Sequence, residues 1–134
     1  MSTDREADSA APPLRVLIVD DSYANAETTG WMVELFGYDY RLAGGAAEAL
    51  AVAETFRPDV ALLDIGLPDI NGFELCIRMQ ALPACKDCVF IAQTGWGESK
   101  YRERADEVGF HHYLLKPFDV ETLETLLHDI ANKR

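Results

Sequence analysis

The chain has 134 residues, 49% of them apolar and 26% charged, an ordinary globular mix at the length of one domain. Lys and Arg number 12 against 23 Asp and Glu, a formal net charge of −11. That balance argues against direct binding to nucleic acid, which needs cations to displace phosphate counterions, and against docking on an anionic membrane.

The first segment, MSTDREADSAAPP, is small, polar and acidic. It has neither the basic nor the apolar region of a signal peptide and reads as a disordered tail over residues 1–13, with the domain spanning 14–134. From Leu14 onward short apolar runs alternate with helical patterns. The runs are 14–19, 38–43, 59–64, 88–93 and 113–116, and their length and apolar character predict parallel strands buried on both faces. The spacing predicts helices over 22–36, 45–57, 72–82, 98–108 and 119–132. In the first, Asn25, Thr29, Met32 and Phe36 fall on one stripe; in the last, Leu123, Leu126, Leu127 and Ile130 do so. Ser22 and Asp119 are expected N-caps, Gly37 a helix C′ residue, and Pro58 and Pro83 helix stops. No apolar run approaches the about 20 residues of a membrane-spanning helix. Three cysteines are too few for a disulfide framework, and a reducing, cytoplasmic setting fits best.

Strand then helix, repeated five times with right-handed crossovers, predicts an α/β fold: a (βα)₅ doubly wound open parallel sheet with helices on both faces. Such sheets carry their sites at the C-terminal strand ends. Strand 1 ends in Asp20-Asp21, strand 3 in Asp64, strand 4 in Thr94 and strand 5 in Lys116-Pro117. Three carboxylates converging on one edge repel unless a cation joins them. Oxygen-only ligands suit Mg²⁺. A carboxylate is also a nucleophile for phosphoryl transfer, and that chemistry needs charge neutralised on the phosphoryl oxygens. Mg²⁺, Lys116 and the Thr94 hydroxyl could each take one oxygen, so the cluster reads as a Mg²⁺-assisted phosphate acceptor. The blander reading is a set of loop carboxylates that cap helices.

The segments LIVDDS (17–22), LLDIGLPDINGFEL (62–75), QTGWG (93–97) and YLLKPF (113–118) resemble the response-regulator receiver domain of two-component signalling. The resemblance runs from about residue 14 to 132 and implies the flavodoxin-like strand order 2-1-3-4-5. It implies that Asp64 is the phosphorylated residue, that Asp21 binds Mg²⁺ directly, and that Asp20 does so directly or through water. Gly66 would offer its backbone carbonyl to the metal, and Thr94 and Lys116 would contact the phosphoryl group. Pro117 would follow a cis peptide bond, Tyr113 would be the switch aromatic that answers Thr94, and Pro68 and Gly72 would shape the loop after the acceptor. Phosphate would come from a histidine kinase or a histidine phosphotransfer protein. A downstream protein would read the changed face, and helix 4, strand 5 and helix 5 could form a phosphorylation-dependent homodimer. The sequence departs from the family pattern where Gly66 lacks the side chain that often flanks the phosphate, where Gly95 and Gly97 free the loop around Trp96, and where Asn25 and Thr29 make the first stripe polar.

Little chain follows the last helix, so a stand-alone regulator or a receiver excised from a hybrid kinase is expected. The other classes are an aspartate-dependent phosphatase of the haloacid-dehalogenase type and a non-phosphorylated interaction domain. The phosphatase needs a general acid two residues after its nucleophile, and Gly66 cannot transfer a proton. Catalysis is therefore expected only as self-phosphorylation and autodephosphorylation. Cys85-Lys-Asp-Cys88 is a single CxxC, read as incidental thiols or as a redox or metal pair. His111 and His112, adjacent in a strand, point to opposite faces and cannot chelate one ion together. Lys100, Arg102 and Arg104 on helix 4 face Glu121, Glu124 and Asp129 on helix 5 either as solvated charge or across a dimer.

Overall fold

The computed structural model describes residues 12–65, 71–95 and 99–133. Strands and helices alternate as β1 (Arg15–Val19), α1 (Tyr23–Leu35), β2 (Asp39–Ala43), α2 (Ala46–Phe56), β3 (Val60–Asp64), α3 (Gly72–Gln80), β4 (Val89–Thr94), α4 (Ser99–Val108), β5 (His112–Leu115) and α5 (Val120–Lys133). Every strand pairing is parallel, and the order is β2-β1-β3-β4-β5. The expected doubly wound sheet is present, with all element ends but one moved by no more than one residue. One helix differs more. The pattern predicted to run to residue 82 stops at Gln80, and a separate 3₁₀ turn covers Pro83–Cys85, where proline opens the turn but cannot extend an α-helix.

Alternation along the inner strands sends successive side chains to opposite layers. Leu17, Val19, Ala61, Leu63, Phe90 and Ala92 pack with α2, α3 and α4. Val16, Ile18, Val60, Leu62 and Ile91 pack with α1 and α5. Burial on both faces holds for β1 and β3 and nearly so for β4, but not for β2, whose Asp39 and Arg41 are exposed, nor for β5, the other edge, whose His112 and Leu115 are exposed. β2 is an edge strand, paired on one side only, and edges carry charge where inner strands cannot.

The stripe on α1 is also turned from expectation. Ala26, Thr29, Gly30 and Val33 are buried, whereas Asn25 is exposed and Met32 and Phe36 are half-buried. Gly30 explains the rotation. A Cβ there would come within 2.5 Å of the Tyr40 ring, so the helix settles on β2 along its smallest residues. On α5, Leu123, Leu127 and Ile130 of the expected stripe are buried, and Leu126 is half-buried.

The ends follow local chemistry. The Ser22 Oγ accepts the Asn25 N–H at 3.4 Å and the Asp119 Oδ1 accepts the Thr122 N–H at 2.8 Å. Gly37 takes φ +92°. Its N–H donates to the Glu34 carbonyl at 2.9 Å, and the Tyr38 N–H donates to the Val33 carbonyl at 3.2 Å, the paired bonds that close a helix through a left-handed glycine. At α3 the constraint is steric. A Cβ on Gly72 would lie 2.6 Å from the Asp64 carbonyl oxygen and 2.8 Å from the Ile65 Cα. The start of α3 therefore rests directly on the backbone that carries Asp64.

Two glycine substitutions should separate these contacts. Gly72→Ala forces backbone against backbone and should cost about 1–3 kcal/mol in chemical denaturation. Gly30→Ala meets only a half-buried ring and regains up to about 1 kcal/mol of helix propensity, so its loss should be clearly smaller. Equal losses would remove the distinction.

Candidate functional site

Five side chains expected at the strand ends are carried to one edge of the sheet, and the backbone explains how. β1 ends at Val19, and the Asp20 N–H donates to the Ala43 carbonyl at 3.0 Å, which holds the turn after β1 against β2. The Ser22 N–H then donates to the Asp20 Oδ1 at 2.9 Å. Ser22 thus caps α1 through its side chain and orients Asp20 through its backbone. Asp64 closes β3 beside Gln93 of β4. Thr94 closes β4, is buried, and its carbonyl accepts the Lys116 N–H at 2.8 Å. The Lys116–Pro117 peptide bond is cis, as the resemblance implied.

Lys116 joins the two inner carboxylates. Its Nζ donates to the Asp20 Oδ2 at 2.9 Å and to the Asp64 Oδ2 at 3.1 Å. Asp20 is only 4% exposed, and the side chains of Asp64 and Lys116 only 14% and 25%. Burial, the largest single influence on Lys116, favours the neutral amine. The Asp20 hydrogen bond and charge, followed by those of Asp64, outweigh it and hold the ammonium above its ordinary value.

Asp20, Asp21 and Asp64 each present an oxygen within 4.8 Å of the others, with Asp21 on the exposed side. Three carboxyl groups against one ammonium leave a formal charge of −2 (3 − 1). Hard oxygen donors in that number, with a deficit of two positive charges, fit a small divalent cation with room for water. Beside the ammonium a cavity of about 450 Å³ is lined by Asn25, Thr29, Gln93 and Phe118. Both polar residues of the α1 stripe, Asn25 and Thr29, line it, beside Met32 and Phe118.

Tyr113 lies in register with Ala92, half-buried against the layer that contains α3 and α4. The Arg102 guanidinium sits 5.0 Å above its ring centroid, a cation–π contact. Arg104 reaches Glu107 at 3.8 Å on its own helix and stands 5.9 Å from the Phe73 ring centroid. Two cations of α4 therefore have partners within the chain. Gly66, Pro68, Trp96 and Gly97, and the Lys100 side chain, lie outside the described residues.

Two contributors escaped the sequence reading. Ser22 was legible as a cap, but not as the group that orients Asp20. Arg102 was legible as surface charge, but not as the cover on Tyr113, because no spacing rule links an α4 residue to β5. Phe90 and His111 are a further unforeseen contact. The His111 ring nitrogen accepts the Phe90 N–H at 3.0 Å and the rings stack, which gives that histidine a packing role far from the carboxylates.

Among known proteins, the chain matches the response regulator receiver domain over residues 16–128. It is 32% identical over 109 residues to the DNA-binding dual master transcriptional regulator RpaA of Synechocystis, an alignment that takes in 81% of this chain and 45% of RpaA. It is 35% identical over 103 residues to the transcriptional regulatory protein CreB of Escherichia coli, covering 77% of this chain and 44% of CreB. The chain thus spans a little under half the length of these relatives. The chemotaxis response regulator CheY4 of Vibrio cholerae superposes with a TM-score of 0.82 at 29% identity, over 88% of this chain and 98% of CheY4. A CheY-like receiver domain protein from Methanospirillum hungatei superposes with a TM-score of 0.80 at 30% identity, over 90% and 95% of the two chains. A parallel sheet in the order 2-1-3-4-5, an acidic edge bridged by a lysine, and a family match across most of its length together make this chain a member of the response regulator receiver domain family, the signalling domain of two-component systems.

Proposed function

We propose that Asp64 is the phosphoacceptor and that phosphorylation there switches a partner-binding face. The observation that carries this reading is the Lys116 ammonium, hydrogen-bonded to Asp64 and Asp20 at 3.1 and 2.9 Å within a cluster of three carboxylates. In the reaction an Asp64 oxygen attacks the phosphorus of a phosphohistidine or a small acyl phosphate. The new P–O bond forms as the bond to the donor breaks, and the donor leaves with that electron pair. Lys116 gives one phosphoryl oxygen a cationic hydrogen-bond donor, and the Thr94 hydroxyl serves a second. Mg²⁺ supplies the remaining charge neutralisation. Asp21 and Asp64 would hold it directly and Asp20 directly or through water, with the backbone carbonyl of Gly66 as a further ligand implied by the family.

The output follows from contacts that differ between two states. Thr94 turning toward the phosphoryl group opens space beside β5, and Tyr113 moves into it and gives up its place under Arg102. The face of α4, β5 and α5 changes, and beside Tyr113 it carries a groove lined by Arg102, His112, Glu121 and Leu126. A histidine kinase or phosphotransfer protein as donor, a protein or a second copy as reader, and a cytoplasmic setting complete the reading. Three free cysteines accord with a reducing compartment. No described helix is long and apolar enough to cross a membrane. The chain's own chemistry on this reading is limited to accepting and losing the phosphoryl group.

Acetyl phosphate with Mg²⁺ should add one phosphoryl group to the intact mass, and Asp64→Asn should abolish the gain. Labelling of Asp64→Asn at the wild-type rate would move the acceptor elsewhere. Lys116→Ala should slow phosphorylation about 10²–10³-fold, the scale on which a lost donor to a developing charge is felt.

Asp21→Ala should weaken Mg²⁺ binding and, without metal, raise the melting temperature, since it thins a crowd of like charges. A lower metal-free melt than wild type would contradict that repulsion.

With beryllofluoride as phosphoryl mimic, the Tyr113 ring and the amides of α4 and α5 should shift in NMR spectra of wild type. They should stay in place in Thr94→Ala, which retains Asp64. Unmoved wild-type signals would place the output on another face.

A further inference from the structure

We propose that Cys85 and Cys88 form a redox modification site, a dithiol that a small hydroperoxide converts into an intrachain disulfide. The site lies at the N-terminal end of β4, the opposite edge of the sheet from the carboxylates, and is independent of the phosphoacceptor reading.

The backbone places the two cysteines for this bond. The Cys88 N–H donates to the Cys85 carbonyl at 3.1 Å, directly after the Cys85 N–H donates to the Leu82 carbonyl at 3.0 Å. A carbonyl-to-N–H bond between residues three apart closes a turn whose ends lie within about 7 Å, near the upper limit of the Cα span a disulfide tolerates. Both cysteines are buried in the layer that also holds Cys76 and Met79. The residues around them, Pro83, Lys86 and Asp87, are exposed. The turn is therefore a surface feature with its sulfurs turned inward. Cys85 is 2% exposed, which suits an oxidant of a few atoms rather than a bulky disulfide.

The two thiols are not equivalent. The hydrogen bond from Cys88 is the largest influence on Cys85 and lowers its thiol against the effect of burial, with the Arg57 guanidinium helping. Cys88 moves the other way, raised by that same hydrogen bond and then by burial. A thiol shifted down beside a thiol shifted up is the asymmetry that attack followed by resolution requires. Metal capture fits less well. Two thiols fill half of a tetrahedral zinc site, and among the described residues the acidic cluster is the group of three or more ligating side chains whose atoms come together.

The chemistry balances in two steps. The Cys85 sulfur attacks the terminal oxygen of the hydroperoxide, an S–O bond forms, the O–O bond breaks, and the departing alkoxide takes up a proton. Cys85 is then a sulfenic acid. The Cys88 sulfur attacks the Cys85 sulfur, the S–S bond forms, the S–O bond breaks, and hydroxide leaves with the Cys88 proton as water. Two thiols lose two electrons, the peroxide gains two, and an alcohol (water, when the oxidant is hydrogen peroxide) and a water are released.

The test is a thiol count. The whole folded chain is treated briefly with hydrogen peroxide, quenched, denatured and alkylated with a maleimide, and the adducts are read by intact mass. The count should fall from three, the full cysteine content, to one, and return to three after dithiothreitol. Trypsin cleavage after Lys86 should leave two peptides joined through Cys85 and Cys88, which locates the bond in wild type without any variant. Cys76→Ser should form the same bond, and Cys85→Ser should keep both remaining thiols. An unchanged count, a loss that dithiothreitol does not reverse, or disulfide-linked dimers in place of the joined peptides would overturn the proposal.

Discussion

An ammonium lies between two carboxylates that are 96 and 52 residues away from it along the chain. No local propensity creates such a contact. It requires β1, β3 and β5 to run in the same direction and to end on the same edge, because only then do residues just past their ends converge. Right-handed crossovers through helices on both faces meet that requirement, and the observed pairings hold it in register. The site is thus a product of the sheet, and the sheet's apolar interior offsets the cost of gathering like charges at its rim. A crowded acidic edge is unfavourable alone, and such conflicts with folding tend to mark function.

The same edge is held by contacts that leave little slack. Ser22 fixes Asp20 from the α1 side, Lys116 ties Asp20 to Asp64, and the Lys116 N–H is anchored on Thr94. Gly72 brings α3 so close to the Asp64 carbonyl that a methyl group would not fit. A change in charge on Asp64 is therefore felt by four elements at once. Tyr113, two positions before Leu115 in β5, is a nearby aromatic with a polar cover, the Arg102 side chain. Asp64, Thr94 and Tyr113 thus stand on the three neighbouring strands β3, β4 and β5.

β4 has two chemically distinct ends. Thr94 stands with the carboxylates, and Cys88 directly precedes the strand at the far edge. Six strand residues separate the edges by on the order of 20 Å, too far for direct electrostatic contact between the thiols and the carboxylates. Any influence of one on the other must pass through the buried layer containing Phe90 and Ala92.

Much of this was legible in the residues. Period and punctuation placed all ten regular elements, because short apolar runs, N-cap side chains, Gly37 and Pro58 report local conformation directly. The strand-end residues Asp20, Asp21, Asp64, Thr94 and Lys116 stood out because each breaks an apolar run at the same structural point. The strand order came from resemblance, since no pattern within a strand says which neighbour it will choose. What depended on packing was not legible. The turn of α1 onto its Gly30 face, the exposed alternation of β2, the Ser22 clamp and the Arg102 cover all follow from which surfaces meet. By itself the sequence determined the succession of elements and the chemistry at their ends, because those rest on neighbours three or four residues apart. Only the tertiary structure decided which of those ends touch, because a hydrogen bond across 96 residues exists only after the whole sheet has closed around it.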